Sequence, residues 1–316
     1  MPHAIGAEAP ECGEVVIAVA TYRRPELLRE LLPELIRQSR ALATRSRVVV
    51  VDNDPEGGAR DVVSALAASD VDYLHEPRPG IAAARNHALD RCGGNDVIVF
   101  IDDDEFPTPE WLGALVRSWQ AWGCAGVSGP ALATFEVAPD AWVQGSGVFA
   151  RPAKTDGAAV SGAATNNLLL HVGTLRSMGL RFDDAYGTSG GSDTRLVHDL
   201  ISRGGVVRWC DAAAVLDRIP ASRTSREWVL RRTMRTSNTW SRVALDLAKP
   251  GLPRLQTALG LTGRAAYRLL RGASTTCRGY VGGDPRIRAR GECDIASAIG
   301  MVQGAYGVVR SEYARA

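Results

Sequence analysis

Short, almost unbroken apolar runs alternate with stretches of helical period through the first hundred residues. Glu14 to Tyr22 carries Val15, Val16, Ile17, Ala18 and Val19 in succession, the pattern of a strand buried on both faces of a parallel sheet. Pro25 then starts a helix, in which Leu28, Leu31, Leu32, Leu35 and Ile36 recur at helical spacing as far as Gln38. A second run, Val48 to Val51, ends at Asp52-Asn53-Asp54-Pro55. The order repeats with a helix over Ala59–Ala68, a strand over Val71–Leu74, a helix over Ile81–Arg91 and a strand over Val97–Ile101 that runs into Asp102. Alternation of this kind predicts an α/β fold with a doubly wound, mostly parallel sheet.

Beyond Pro109 the pattern is less regular. Trp111, Leu112, Leu115, Val116 and Trp119 mark a helix, a Gly- and Ala-rich middle follows, and Thr165–Leu170 reads as a further strand. The break Gly187-Thr188-Ser189-Gly190-Gly191 precedes a helix carrying Leu196, Leu200 and Ile201, which Gly204-Gly205 closes. After Pro220 the chain reads as helical: Ser225–Leu247, a stretch around Leu255–Arg271, a loop over Gly272–Gly291, and Ile295–Tyr313. The expected organisation is an α/β domain over residues 1–220, in halves of about 14–110 and 111–220, and a basic helical region over 221–316.

Charge sharpens that division. The net charge of +2 hides 18 Lys and Arg against 6 Asp and Glu from Arg218 onward, and 19 against 29 before it. A basic segment interleaved with leucines (Leu255, Leu259, Leu261, Leu269 and Leu270 among Arg254, Arg264, Arg268 and Arg271) suits peripheral contact with an anionic membrane, a solvated helix face being the plainer alternative. No apolar run has the length of a membrane span and the N-terminus lacks a signal-peptide pattern, so the expected location is the cytoplasm, with peripheral attachment to the inner face of the membrane. Six cysteines stand without any C-x-x-C pair and read as buried free thiols.

Ligands of doubly wound sheets bind outside the carboxyl ends of the strands. Three strands here end in polar clusters: Thr21-Tyr22-Arg23-Arg24, Asp52-Asn53-Asp54 and Asp102-Asp103-Asp104-Glu105. Four adjacent acids at the end of a buried strand repel one another unless a cation or ligand neutralises them, and Mg²⁺ or Mn²⁺ prefers carboxylates together with substrate phosphates. Asp104 is therefore the expected metal ligand, Asp102 a contact to a donor ribose, and Asp103 part of the same diphosphate-holding cluster; capping of the following helix is the competing use of such acids. Asp52 either accepts hydrogen bonds from a base or ribose or simply ends its strand in a turn. Arg85, in Pro79-Gly80-Ile81-Ala82-Ala83-Ala84-Arg85-Asn86, could reach a phosphate, an ordinary surface arginine being the alternative. In Gly190-Gly191-Ser192-Asp193 the glycines let backbone approach a sugar, and Asp193 is the candidate base for an acceptor hydroxyl, with a helix cap as the alternative.

From about Val15 to Trp240, the order of these motifs resembles glycosyltransferase family 2, whose members have the GT-A fold, a Rossmann-like arrangement. The resemblance rests on Thr21-Tyr22-Arg23-Arg24-Pro25, Asp52-Asn53, Pro79-Gly80 through Arg85-Asn86, Asp102-Asp103-Asp104, and Phe182-Asp183-Asp184 followed by Gly190-Gly191-Ser192-Asp193. It implies an inverting transfer from a nucleotide-diphosphate sugar, a UDP-sugar by likeness, with Mn²⁺ or Mg²⁺. The first half would bind donor and the second acceptor. Thr21, Arg23 and Asp52 would contact the nucleotide, Arg85 the base or diphosphate, Asp102 the ribose, Asp104 the metal, and Asp193 would activate the acceptor. That acceptor would be a saccharide, a lipid-linked sugar or a small molecule, and no nucleic acid is expected.

Two positions depart from the family pattern. Ser192-Asp193 stands where many members have Glu-Asp, and Asp217 stands where many place a metal-binding His. Asp217 either substitutes or the site lacks that ligand, and an inactive nucleotide-sugar binder or membrane-recruited scaffold of the same fold is the alternative that these departures support. A haloacid-dehalogenase-type phosphatase would use Asp52-Asn53-Asp54 as nucleophile and acid but needs a phosphate-facing lysine, and the chain has only Lys154 and Lys249. A dinucleotide-binding dehydrogenase is excluded because no G-x-G-x-x-G follows the first strand.

Overall fold

The computed structural model describes residues 12–150 and 154–309. Contacts divide the chain into two compact units. One comprises Met1–Leu132, Pro152–Gly187 and Ser192–Asp217; the other comprises Ala133–Arg151, Thr188–Gly191 and Arg218–Ala316.

The first unit is built on a seven-stranded sheet. In chain order its elements begin β1 (Val15–Thr21), α1 (Pro25–Ala41), β2 (Ser46–Asp52), α2 (Arg60–Ala65), β3 (Val71–His75), α3 (Ile81–Leu89) and β4 (Val97–Asp102). They continue with β5 (Glu105–Pro107), α4 (Trp111–Trp122), β6 (Gly126–Ser128) and β7 (Ala131–Phe135), the last of which runs on into the second unit. The strand order is β3-β2-β1-β4, parallel throughout as the apolar runs predict.

Past β4 the sheet changes direction. After α5 (Ala141–Ser146), which belongs to the second unit, comes β8 (Asn167–His171), lying antiparallel between β4 and β6. Its buried Asn167 fixes this insertion: Nδ2 donates to the carbonyls of Pro130 and Ala213, at 3.1 and 2.7 Å, and Oδ1 accepts from Trp111 Nε1 at 2.8 Å. Two short helices, α6 (Val172–Ser177) and α7 (Ser192–Ser202), precede β9 (Val207–Trp209), which pairs parallel with β6 at the far edge. β10 (Val215–Ile219) then pairs antiparallel with β5.

Large apolar side chains fill both faces of the main sheet. One layer gathers Val15, Ile17, Leu28, Leu32, Val99, Trp111, Leu115 and Leu169; the other gathers Val16, Val49, Ile98, Phe100, Leu168, Phe182 and Leu196. Strands buried on both sides need apolar residues at consecutive positions, which is why β1, β2 and β4 read as runs rather than alternations.

The second unit contains α8 (Arg226–Leu247), α9 (Leu252–Val281) and α10 (Pro285–Ala305). Asp284 caps α10 by accepting from the backbone N–H of Arg286 and Ile287. Glu292 of α10 accepts from Trp142 Nε1 at 3.0 Å and Arg226 Nε at 2.8 Å, tying α5 and α8 to it. The loop expected over Gly272–Gly291 is instead the end of α9, a three-residue turn and the start of α10, and the last helix ends at Ala305 rather than Tyr313, with residues 310–313 outside the described part. The glycines that suggested a break are packing positions. A Cβ on Gly279 would come within 2.5 Å of the Arg288 backbone N, and one on Gly272 within 2.8 Å of the Gly291 carbonyl. Cys92, Cys124, Cys210 and Cys293 are buried thiols as expected, whereas Cys277 is exposed.

Candidate functional site

The register of the sheet lays the three polar strand ends side by side. Thr21 is the partner of Asp52 and Ala20 that of Asp102, so all three clusters open on the same carboxyl edge, strands about 4.8 Å apart. Thr21 Oγ1 donates to Asp103 Oδ2 at 2.8 Å. Arg24 Nη1 donates to Asp103 Oδ1 at 2.8 Å and Asp104 Oδ2 at 3.1 Å. Arg23, the arginine singled out in the sequence, points elsewhere. Its backbone is left-handed (φ 54°), Nε donates to Asp54 Oδ1 at 3.3 Å, and the guanidinium stands 5.2 Å over the Tyr22 ring. A non-glycine residue held in that region is costly and concentrates at functional sites. Two adjacent arginines look equivalent in sequence, and only this turn decides which meets the acids.

Asp52 lies beneath the surface, where its oxygens accept from the N–H of Asp54 and Ala59 and from Tyr73 Oη at 3.0, 2.8 and 3.0 Å. These bonds organise the turn that ends the strand. They also disqualify it as a phosphatase nucleophile, which must be open to its phosphate. Burial and the Asp52 carboxylate push the Tyr73 phenol up to about 12.

Asn53 anchors the next loop: Nδ2 donates to the carbonyls of Glu76 and Arg78, at 2.6 and 2.7 Å, and Oδ1 accepts from Gly80 N at 3.2 Å. Gly80 has φ +114° and sits where a Cβ would come within 3.1 Å of Gly187 backbone. Ile81 N donates to the Gly187 carbonyl at 3.2 Å. This junction starts α3 at the level that brings Arg85 beneath the acids.

Arg85 is buried. Its Nη2 is 3.6 Å from Asp102 Oδ1, its Nη1 donates to Ser192 Oγ at 3.3 Å, and its guanidinium stands 5.7 Å over the Phe182 ring. One side chain thus joins the end of β4 to the first residue of α7. Asp193 follows, half-buried in the first turn of α7, where the positive end of the helix favours an anion. Gly190 and Gly191, with φ +76° and +95°, turn the chain into that helix through backbone that glycine adopts without penalty.

The acids crowd one another. The Asp102 carboxyl is pushed up to about 7, most by burial and further by Asp104, Asp103 and Asp193, against the pull of Arg85. Burial also raises Asp103, with Arg24 opposing.

Glu105 stands well above its usual range, through burial first and then the charges of Asp102, Asp217 and Asp104. Only 4 % exposed, it accepts from Asn166 Nδ2 at 2.6 Å, while its Oε2 has no hydrogen-bond partner. Asp217, half-buried in β10, is its direct partner across the antiparallel pair. Glu105 and Asn166 were not picked out as site residues in the sequence. Glu105 was visible as the fourth acid of its run, but Asn166 becomes relevant only when β8 inserts beside β4.

Among the described residues no three His, Cys, Asp or Glu side chains stand in ligating geometry around one point. The donor chemistry nevertheless fits a hard divalent cation. The candidates are all carboxylates, burial and then the charges of Asp102, Asp217 and Asp104 raise the proton affinity of Glu105, and a buried oxygen of Glu105 is unpaired.

Comparison with known proteins identifies the class. The sequence matches the family described as Glycosyl transferase family 2 over residues 16–171. It is also 35% identical over 237 residues to the succinoglycan biosynthesis protein ExoM of Rhizobium meliloti (strain 1021), covering 73% of this chain and 75% of that one. The chain belongs to glycosyltransferase family 2. It is an enzyme of that class acting on a nucleotide sugar, and its solved neighbours share the GT-A fold. The mannosyltransferase PcManGT from Pyrobaculum calidifontis, solved with GDP-Man and Mn²⁺, superposes with a TM-score of 0.61 at 19% identity, over 96% of this chain and 90% of that one. GalNAc-T7, solved with UDP, GalNAc and Mn²⁺, gives 0.54 at 14% identity over 74% of this chain, which spans about half (48%) of that protein. The S. aureus TarS 1-349 structure gives 0.52 at 12% identity, over 88% and 90%. In this family 2 glycosyltransferase the matched region ends at β8, so Asp193 and Asp217 lie beyond it. Their candidacy rests on place, Asp193 in the first turn of α7 and Asp217 within β10 opposite Glu105, and on chain order.

Proposed function

We propose that the enzyme transfers a sugar from a nucleoside diphosphate sugar, UDP being the carrier by family likeness, to an acceptor hydroxyl in a single inverting displacement. The observation that carries this reading is Arg85, which contacts Asp102 on one side and Ser192, the neighbour of Asp193, on the other. A group placed against both can hold the donor end and the acceptor end of one reaction in fixed relation, and such orientation is a large part of catalysis.

Asp193 takes the proton of the acceptor hydroxyl as its oxygen bonds to the anomeric carbon from the face opposite the leaving diphosphate. The bond between the anomeric carbon and the leaving phosphate oxygen breaks, its electron pair staying on that oxygen, and the configuration inverts. Thr21 and Arg24 hold Asp103 and Asp104 against their mutual repulsion, and Arg85 positions Asp102 toward the ribose. Asp104, Asp217 and Glu105 would hold Mn²⁺ or Mg²⁺, which when bound stabilises charge on the departing phosphate. The likeness to a succinoglycan biosynthesis protein supports a saccharide acceptor, free or lipid-linked, in assembly of a surface polysaccharide.

Asp193→Asn tests the assignment. Turnover is expected to fall by about 10²–10⁴-fold while calorimetric affinity for the nucleoside diphosphate is unchanged. Full turnover would remove Asp193 from the role. Titration with UDP, GDP and dTDP, each with and without Mn²⁺, identifies the carrier, and nucleotide binding without turnover on any sugar would favour the inactive-binder alternative.

A further inference from the structure

Helix α9 is amphipathic the wrong way round for a helix that packs within its own protein. The residues it buries are Leu261, Ala265, Gly272 and Gly279, spaced by four and seven positions along one face. Three of those four are glycine or alanine. Its largest aliphatic side chains point outward: Leu252 is 66 % exposed, Leu259 62 %, Leu270 74 % and Val281 85 %, with Leu255 also exposed. At 3.6 residues per turn these five fall within about one third of the helix circumference, opposite the glycines. They form one stripe along a helix of 30 residues, about 45 Å long at 1.5 Å per residue. An exposed apolar patch on that scale marks an interaction surface.

The charge on α9 says what the surface meets. The helix carries five arginines (Arg254, Arg264, Arg268, Arg271 and Arg278) and no Asp or Glu. Arg264, Arg268, Arg271 and Arg278 share the flank between the outward stripe and the glycine face, Arg271 pairing with Asp294 and Arg268 donating to Ser297. A second copy laid on this face by a two-fold axis would meet the same arginine-bearing helix, with no acid on α9 to answer it. A surface with an apolar interior and anionic headgroups answers both properties. Leucines enter the acyl boundary while arginine stems run along it, with their guanidinium groups at the phosphates. Among the described residues no helix is long and apolar enough to cross a membrane, which fits a helix that lies on one.

We propose that the outward face of α9, with Leu252, Leu255, Leu259, Leu270 and Val281 at its centre, is a docking surface for an anionic lipid bilayer. This extends the sequence expectation of membrane contact to a defined face, and it goes beyond the reading of the catalytic site without depending on it.

Sedimentation of the full chain with vesicles tests it. The probes are phosphatidylcholine alone and phosphatidylcholine mixed with phosphatidylglycerol, at low and high salt. The protein is expected in the pellet with the anionic vesicles at low salt, and mostly in the supernatant with the neutral ones. Leu259→Glu/Leu270→Glu should weaken vesicle binding by about a hundredfold or more, since each buried leucine contributes at least about 1.4 kcal/mol, a factor of ten, with an unchanged helical circular dichroism spectrum. Arg264→Gln/Arg278→Gln, which leaves the apolar stripe intact, should lose the preference for anionic lipid. Equal recovery from both vesicle types, or no binding by folded protein, overturns the proposal. So does a dimer in light scattering that the leucine substitutions dissociate while no vesicle binds, because the stripe then serves a second copy.

Discussion

The interior of the sheet unit and the interior of the helical unit follow opposite rules. Around β1, β4 and β8, large side chains (Ile17, Val99, Trp111, Leu169) fill the space between layers. Between α9 and α10, beside an apolar cluster with Leu261, Ala298 and Met301, part of the contact is made by the absence of side chains, with Gly272, Gly279 and Gly291 admitting neighbouring backbone. The same principle of close packing governs both, but in one case volume is supplied and in the other it is withheld. A leucine in the sheet layers therefore means "inside", whereas one on α9 can mean "outside".

Substitutions of size should act oppositely in the two units. Leu169→Ala, at a fully buried strand position, should cost about 2–5 kcal/mol in denaturant unfolding through the cavity it leaves. Gly279→Leu should destabilise the α9–α10 pair by about 1–3 kcal/mol, because added volume meets the backbone of Arg288. Leu259→Ala should change stability by less than about 0.5 kcal/mol, as at an exposed position. A loss at Leu259 as large as that at Leu169 would mean that the outward stripe is buried within the protein.

A smaller effect sharpens the picture of the sheet edge. The Tyr73 phenol, at about 12 in the folded chain against an ordinary 10.0, adds stability that is fully present below pH 10 and is lost as the pH rises through 12. Ultraviolet titration should show a late-ionising component in the native protein that is missing in Tyr73→Phe, whose stability should fall less between those pH values.

Legibility in the sequence follows the same divide. β1, β2 and β4 were readable because two-sided burial demands consecutive apolar residues, and the acids after β4 stood out because nothing apolar explains them. The antiparallel β8 left its position open, since an apolar run does not declare its direction; Asn167, whose bonds fix it, looks in sequence like any strand-edge amide. Arg24 could not be told from Arg23 without the left-handed turn between them, nor could Asp52 be recognised as a turn organiser before Tyr73 and Ala59 were brought to it. In α9 the glycines gave a false break, because a glycine that ends a helix and one that lets two helices touch are the same letter.

The contact between Gly80 and Gly187 constrains how such an enzyme can diversify. With one loop's carbonyl bonded to the other's first helical N–H and no room for a Cβ between them, neither loop can lengthen by a residue without releasing both α3 and the approach to α7. Inheritance along this lineage would then favour exchange of side chains around a fixed frame over insertion at the rim, and new sugar preferences would arise by point substitution more readily than by loop growth.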